Sequence, residues 1–165
     1  MSDFIQRFHF SDSPVRGELV QLDATLAEVL DRHDYPETVV RLLGEAMAAC
    51  VLLASTLKFE GALILQARGE GPLAMLMVEC NHRREVRAIA QPGEDWDDSC
   101  AAMPLEQLFA NGQLAITIDP ADGQRYQGIV PLQGHHLAAC IEHYFQQSEQ
   151  LPTRLWLAAD REAAA

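Results

Sequence analysis

The residues best suited to chemistry in this chain are its four cysteines. Cys50, Cys80, Cys100 and Cys140 stand 30, 20 and 40 positions apart, so the sequence contains no Cys-x-Cys or Cys-x-x-Cys pair. Because local zinc and dithiol sites depend on closely spaced thiols, zinc-finger and thioredoxin-type chemistry are not indicated. We expect four reduced structural thiols, at least two of them in the core.

A second candidate group follows the i, i+4, i+7 spacing of one helix face. His136, Cys140 and His143 have this spacing, and imidazole and thiolate are ligands that zinc accepts. No fourth ligand is identifiable, and apolar neighbours place Cys140 on a core face. A thiol- or metal-dependent enzyme using these three residues is therefore the alternative hypothesis. We expect no enzymatic activity, and no metal or cofactor held by this chain.

Composition narrows the class of protein and its partners. The 165 residues are 48% hydrophobic and carry a formal net charge of -12, which indicates one acidic globular domain. Such a charge repels nucleic-acid backbones and anionic membranes. The longest apolar run, Ala46 to Leu57, is shorter than the roughly 20 residues of a membrane span. The N-terminus lacks the pattern of a signal peptide, so we expect a cytoplasmic protein.

The elements that would position these residues follow from hydrophobic periodicity and turn signals. A helix from Pro36 to about Thr56 is apolar all round in its second half, which places it at the centre of the domain. Asp23 is predicted to cap a short helix from Ala24 to Arg32. Further helices are predicted at 104–109 and 135–147, and strands at 4–10, 16–22, 62–68, 72–80, 85–91, 113–118, 125–132 and 153–157.

This order of elements predicts an α+β fold, mainly antiparallel sheet built from hairpins packed around a long central apolar helix. We expect a core domain over residues 1–159. Residues 160–165, charged and rich in alanine, are expected to begin a linker or tail.

Two predicted strands are apolar at consecutive positions, so both faces of their sheet need cover. The central helix can cover one face. The other face is either covered by the short helices, or it is exposed or covered by something outside the domain. The sequence does not decide between these two alternatives. Flexible thioethers suit surfaces that accept many partners. The residues expected to contact such partners are Leu63, Leu65, Met75, Met77 and Trp156.

Six segments stand out in order along the chain: Val15-Arg16-Gly17-Glu18-Leu19-Val20, His33-Asp34-Tyr35-Pro36, Thr56-Leu57-Lys58-Phe59-Glu60-Gly61, Gly69-Glu70-Gly71-Pro72, Arg125-Tyr126-Gln127-Gly128-Ile129-Val130 and Ser148-Glu149-Gln150-Leu151-Pro152-Thr153-Arg154. Together they resemble the N-terminal domain of the thirty-three-kilodalton heat-shock protein family of bacteria.

The resemblance implies a redox-regulated, ATP-independent holdase chaperone that binds unfolding proteins under oxidative stress and forms a homodimer. In that family a C-terminal domain holds zinc through a Cys-x-Cys and a Cys-x-x-Cys pair, and oxidation releases the zinc and uncovers client-binding surface. This sequence contains no such segment, so we expect a domain fragment whose four cysteines have neither a zinc-ligand nor a disulfide role. A domain that binds one fixed partner is the other alternative.

Overall fold

The computed structural model describes residues 2–161 and confirms the predicted α+β class. A two-stranded hairpin stands beside a five-stranded sheet of order β5-β4-β3-β6-β7, in which every neighbouring pair is antiparallel. The strands are β1 (Phe4–His9), β2 (Arg16–Gln21), β3 (Gly61–Arg68), β4 (Leu73–Asn81), β5 (Val86–Pro92), β6 (Gln113–Pro120) and β7 (Tyr126–Pro131). The helices are α1 (Ala24–Leu30), α2 (Glu37–Ser55), α3 (Leu105–Phe109) and α4 (Leu137–Tyr144), with a 3₁₀ helix at Asp98–Ala102 and a π-helical turn at Phe145–Glu149.

Helix α2 is the centre of the domain, as its all-round apolar sequence predicts. It packs against β3, β4 and β5 and also contacts β2, α1 and α4. Val39, Leu43, Met47 and Cys50 on this helix are fully buried. By length and composition α2 is also apolar enough to cross a membrane, but 67% of it is buried inside the protein, as in a core helix.

The cap of α1 differs from the prediction. Asp23 occupies the N-cap position, but its side chain makes no capping hydrogen bond. Instead the carboxylate of Asp3 accepts hydrogen bonds from the backbone N–H groups of Asp23, Ala24 and Thr25, at 2.6, 2.8 and 3.0 Å. The prediction that Asp23 caps the helix is wrong, because the Asp3 carboxylate, 20 residues away in sequence, accepts the hydrogen bonds of the free amides instead.

The prediction of a strand at Thr153–Leu157 is also wrong. Residues 151–161, here called the strap, form no helix or strand and pair with no strand of the described chain. Their alternation comes from packing: Leu155 and Leu157 lie against the core, whereas Trp156 between them is 83% exposed. The alternation of buried and exposed residues, which is typical of a strand, arises here because one side of the strap packs against the core.

Several contacts hold the strap to the rest of the domain, among them ion pairs of Arg154 with Glu142 and of Arg161 with Glu37, both at 3.6 Å. The Leu155 N–H donates to the Glu142 carboxylate on α4, at 2.8 Å. The β-carbon of Ala159 lies directly over Gly44 of α2. Arg161 donates to the Tyr35 carbonyl at 3.1 Å. The packed chain thus continues through Arg161, and residues 162–165 of the predicted tail lie outside the described residues.

Candidate functional site

The five-stranded sheet has two faces of different character. On the inner face, Leu63, Leu65 and Ala67 of β3 are buried, and they stand opposite Cys80, Val78 and Leu76 of β4. Helix α2 packs against these strands. Because directly paired residues of antiparallel strands point to the same side, the register assigns the intervening residues to the opposite face.

That opposite side, here called the outer sheet face, has an apolar row across all five strands, interrupted at one position. Through the register the row joins Ile89, Met77, Gln66, Ala115 and Ile129. The neighbouring rows are mixed, and they place Met75 beside Gln91 and Ile64 beside Glu79 and Thr117.

The outer sheet face is open at its two sides. Ile129 on edge strand β7 is 56% exposed and Ile89 on edge strand β5 is 38% exposed, while Met75 and Met77 between them are half-buried. Of the two alternatives that the sequence leaves open, the exposed face is the one observed within residues 2–161. Scattered single apolar residues are ordinary on a surface, but a row of them across a sheet is typical of an interaction site.

Apart from Gln66 within the row, the polar side chains of the face lie beside it. The Arg87 guanidinium pairs with the Glu79 carboxylate at 2.8 Å, and the Gln127 amide donates to the Thr117 hydroxyl at 2.8 Å. Since these groups already have partners, they add little directional recognition. The face can bind apolar side chains without selecting one sequence.

The five residues predicted to contact partners do not form one surface. Leu63 and Leu65 are 2% and 1% exposed and face α2, so the structure places them in the core. A run of consecutive apolar residues does not tell which alternate residue faces the helix, and the prediction took the wrong ones. Met75 and Met77 do lie on the outer sheet face, and Trp156 lies on the strap instead of on the sheet.

Sequence reasoning missed Ile89 and Ile129, the most exposed apolar residues of the outer sheet face. The signal for Ile89 is the alternation along β5, where Arg87 and Gln91 occupy the same side. For Ile129 no local signal exists, because its neighbour Val130 is equally apolar and is buried.

The predicted ligand group His136, Cys140 and His143 does not converge. Both imidazoles are exposed, whereas the Cys140 thiol is buried and donates to the Gln133 carbonyl at 3.4 Å. His136 precedes α4 as its N-cap residue, so the three residues do not share one helix face. Within residues 2–161 no three His, Cys, Asp or Glu side chains are arranged to hold a metal ion. The structure therefore does not bring these three residues together as a metal centre.

The four thiols have the environment of structural cysteines. All four are free and buried. Burial raises the pKa of Cys50 well above its ordinary value and that of Cys80 to about 11, and it also raises the pKa of Cys140. A protonated, enclosed thiol is a poor nucleophile and a poor ligand. The four cysteines of this chain therefore do not fit a zinc site. The zinc site that the resemblance implies belongs to another domain.

Fold and surface together define an α+β protein whose outer sheet face is suited to contact with other polypeptides. The family model described as Hsp33 protein matches residues 3–165. The chain belongs to the Hsp33 family.

Individual relatives agree with this assignment. The chain is 57% identical to the 33 kDa chaperonin of Ectopseudomonas mendocina over 99% of its own length and 55% of that protein's. It is 56% identical to the 33 kDa chaperonin of Azotobacter vinelandii, over 96% of this chain and 52% of the relative. The chain thus spans about half the length of the curated relatives it matches.

A solved structure shows the same fold. The crystal structure of the 33 kDa chaperonin, a heat shock protein 33 homolog, from Thermotoga maritima superposes with a TM-score of 0.78 at 22% identity. The match covers 91% of this chain and 52% of the other.

Proposed function

We propose that this chain is the client-binding core of a redox-regulated, ATP-independent holdase chaperone that acts in the cytoplasm under oxidative stress. The observation that carries the proposal is the open outer sheet face, with its apolar row from Ile89 to Ile129. Unfolding proteins expose apolar side chains, and burying apolar surface is favourable by about 25 cal/mol per Å² whatever the sequence. Its partners would be unfolded or partially folded proteins, not nucleic acid or membrane.

The acidic surface is compatible with this role. A protein that exposes an apolar face risks association with itself, and a net charge of -12 opposes that. The half-buried Met75 and Met77 side chains can adjust their shape to different client segments, because the thioether chain is unbranched and flexible.

The glycine-rich turn between β3 and β4 supports ATP independence for this part of the protein. The amides of Glu70 and Gly71 donate to the carbonyls of Ala110 and Phe109 after and within α3, both at 2.9 Å. Amides engaged in this way are not free to bind phosphate oxygens. The turn packs the β3–β4 connection against α3, so these two amides offer no phosphate-binding site.

Redox control would be exerted from outside this chain. Its own thiols are buried, and the raised pKa values of Cys50, Cys80 and Cys140 make these three slow to oxidise. The relatives are nearly twice as long as the matched region. Zinc and the reactive cysteines are accordingly assigned to a further segment, and the core would bind clients without its own switch.

The test is suppression of client aggregation by the reduced, metal-free chain, followed by light scattering after dilution of a chemically denatured enzyme. Met75→Gln together with Met77→Gln should at least halve the suppression. Gln91→Ser is the matched control, because Gln91 pairs directly with Met75 on the same face but is already polar. Absence of suppression by the unmodified chain in both redox states would refute the proposal.

The two alternatives give different results. A metal-dependent enzyme would retain stoichiometric zinc in the purified chain. A domain for one fixed partner would fail to protect most of several unrelated denatured proteins, whereas a holdase protects them with little discrimination.

A further inference from the structure

On the side of hairpin β1–β2 that packs toward α2, the apolar pair Ile5 and Val20 lies against the core and ionisable residues follow it. The register pairs Arg7 with Glu18 and His9 with Arg16, and these ionisable residues share the side that packs toward α2. The Arg7 guanidinium forms an ion pair with Glu18 at 2.7 Å and also donates to the Ser55 carbonyl at the end of α2.

The side of the hairpin that faces away from α2 is apolar. Large apolar side chains on this side are exposed: Phe4 39%, Phe8 48%, Phe10 56%, Val15 52% and Leu19 53%. Phe10 and Val15 belong to it because the Phe10 N–H bonds to the Val15 carbonyl and continues the pairing beyond the strands. We call these five residues, with Gln6 and Gly17 between them, the aromatic hairpin face. None of these residues, all within the described range, is ionisable.

Two rings of the aromatic hairpin face have a fixed geometry. The Phe8 ring covers Gly17 on the opposite strand, at a position where any β-carbon would collide with the ring. Phe10 stands edge-on to Phe8, with ring centroids 6.1 Å apart and planes at 82°. Edge-to-face rings of this kind form a stable pair. Phe8 and Phe10 therefore form a paired aromatic ridge at one end of the face.

The size of this face decides between two kinds of occupant. Six residues of strand extend about 20 Å and two strands with their side chains span about 10 Å, giving on the order of 200 Å². A stable dimer buries about 800 Å² per partner. The face alone is smaller than a stable dimer contact, and its length matches an extended segment of about six residues.

Charge decides the chemistry of that segment. The face itself is uncharged, so it does not select by local ion pairs, but the whole chain carries -12. A field of that sign repels a second copy and attracts a segment with lysine or arginine beside its apolar residues.

We propose that the aromatic hairpin face is a docking site for extended apolar segments of non-native proteins that are flanked by basic residues. It is separate from the outer sheet face and does not require that face to bind clients. It would give this domain a preference among clients that an apolar sheet alone does not provide.

The test uses two fluorescein-labelled peptides that share one apolar core of six residues and carry either two lysines or two glutamates at each end. Their binding to the full chain is measured by fluorescence anisotropy at low ionic strength. The lysine peptide should bind at least tenfold more tightly. Phe8→Ser with Phe10→Ser should weaken its binding at least tenfold, and Leu19→Ser, a milder change at an exposed position, at least threefold.

Two variants of opposite charge at Gln6 test where the peptide binds. Gln6 is exposed and lies on the aromatic hairpin face opposite Leu19. Gln6→Glu should tighten binding of the lysine peptide and Gln6→Lys should weaken it, with a difference of at least threefold between the variants. Leu151→Ser, outside both faces and with its side chain 48% exposed, should leave the binding unchanged.

Three results would each overturn this proposal: equal affinity for the two peptides, no loss in either the Leu19 or the double phenylalanine variant, or no difference between the two Gln6 variants. If the unmodified chain binds the lysine peptide but does not suppress client aggregation, that result counts against the outer sheet face alone. The two proposals can therefore fail separately.

Discussion

At the level of single residues, the carboxylate of Asp3 joins the N-terminal segment to helix α1. It accepts hydrogen bonds from three successive backbone amides and from the Thr25 hydroxyl. Burial alone would raise the pKa of Asp3, but hydrogen bonds from Thr25, Ala24 and Asp23 outweigh it and lower the pKa below 3.8. A group whose pKa is depressed in the folded state stabilises that state only while it is ionised.

We expect Asp3→Ala to lower the free energy of unfolding by about 1–2 kcal/mol at pH 7, the usual effect of losing an N-cap. The contribution is present above the unfolded pKa of about 3.9 and is lost as the pH falls through the lower folded pKa. Urea denaturation of wild type and variant should therefore show a smaller difference at pH 3 than at pH 7. Asp12→Ala, in the exposed hairpin turn, is the control and should change stability by less than about 0.5 kcal/mol. A penalty that does not depend on pH would contradict the capping role of the ionised carboxylate.

At the level of elements, the strap depends on a helical glycine. A β-carbon at Gly44 would lie 2.6 Å from the β-carbon of Ala159, closer than such atoms approach. Alanine is nevertheless the better helix former, by about 1 kcal/mol. The glycine therefore weakens α2 slightly and lets the strap lie against it.

Gly44→Ala should consequently affect the two elements in opposite directions. We expect α2 to keep or gain protection from hydrogen exchange, while strap amides such as that of Leu155 exchange faster and trypsin cleaves sooner after Arg154. Ala159→Gly in the same chain removes the clash and should restore the protection. Unchanged cleavage in the single variant would mean that the strap is not held by this contact.

The elements themselves were largely predictable, because their patterns are local. Helix α2 and the strands of both hairpins follow from periodicity, from Pro36 and from turn residues, and the structure confirms them within a few residues. The candidate surface was only half predictable. Which of Leu63 and Ile64 faces inward depends on which side α2 covers, and that is a contact between distant segments.

Two other errors have the same origin. The strap reads as a strand because its alternation is real, but the helices beneath it supply that alternation and no partner strand does. The cap of α1 reads as local because Asp23 has the right residue type at the right position. In both cases a tertiary contact took the place of the expected local one.

At the level of the whole molecule, apolar exposure and negative charge oppose each other. The outer sheet face has five strands about 4.8 Å apart and about 20 Å long, on the order of 500 Å². That is below the roughly 800 Å² per partner of a stable interface. Two copies meeting there would also have to overcome repulsion between two charges of -12. Any homodimer of this chain through the outer sheet face should therefore be weak.

Salt reduces the repulsion but not the apolar attraction, since the Debye length falls from about 8 Å at 0.15 M to about 3 Å at 1 M. We expect the dimer dissociation constant to fall at least tenfold between 0.05 M and 1 M sodium chloride, measured by sedimentation velocity over a dilution series. Ile129→Ser should weaken the dimer at every salt concentration because it removes the most exposed apolar side chain of the face, whereas Gln91→Ser should not. A chain that stays monomeric throughout would contradict the homodimer prediction. A dimer that salt strengthens but Ile129→Ser leaves intact would retain the charge argument and place the contact on another surface.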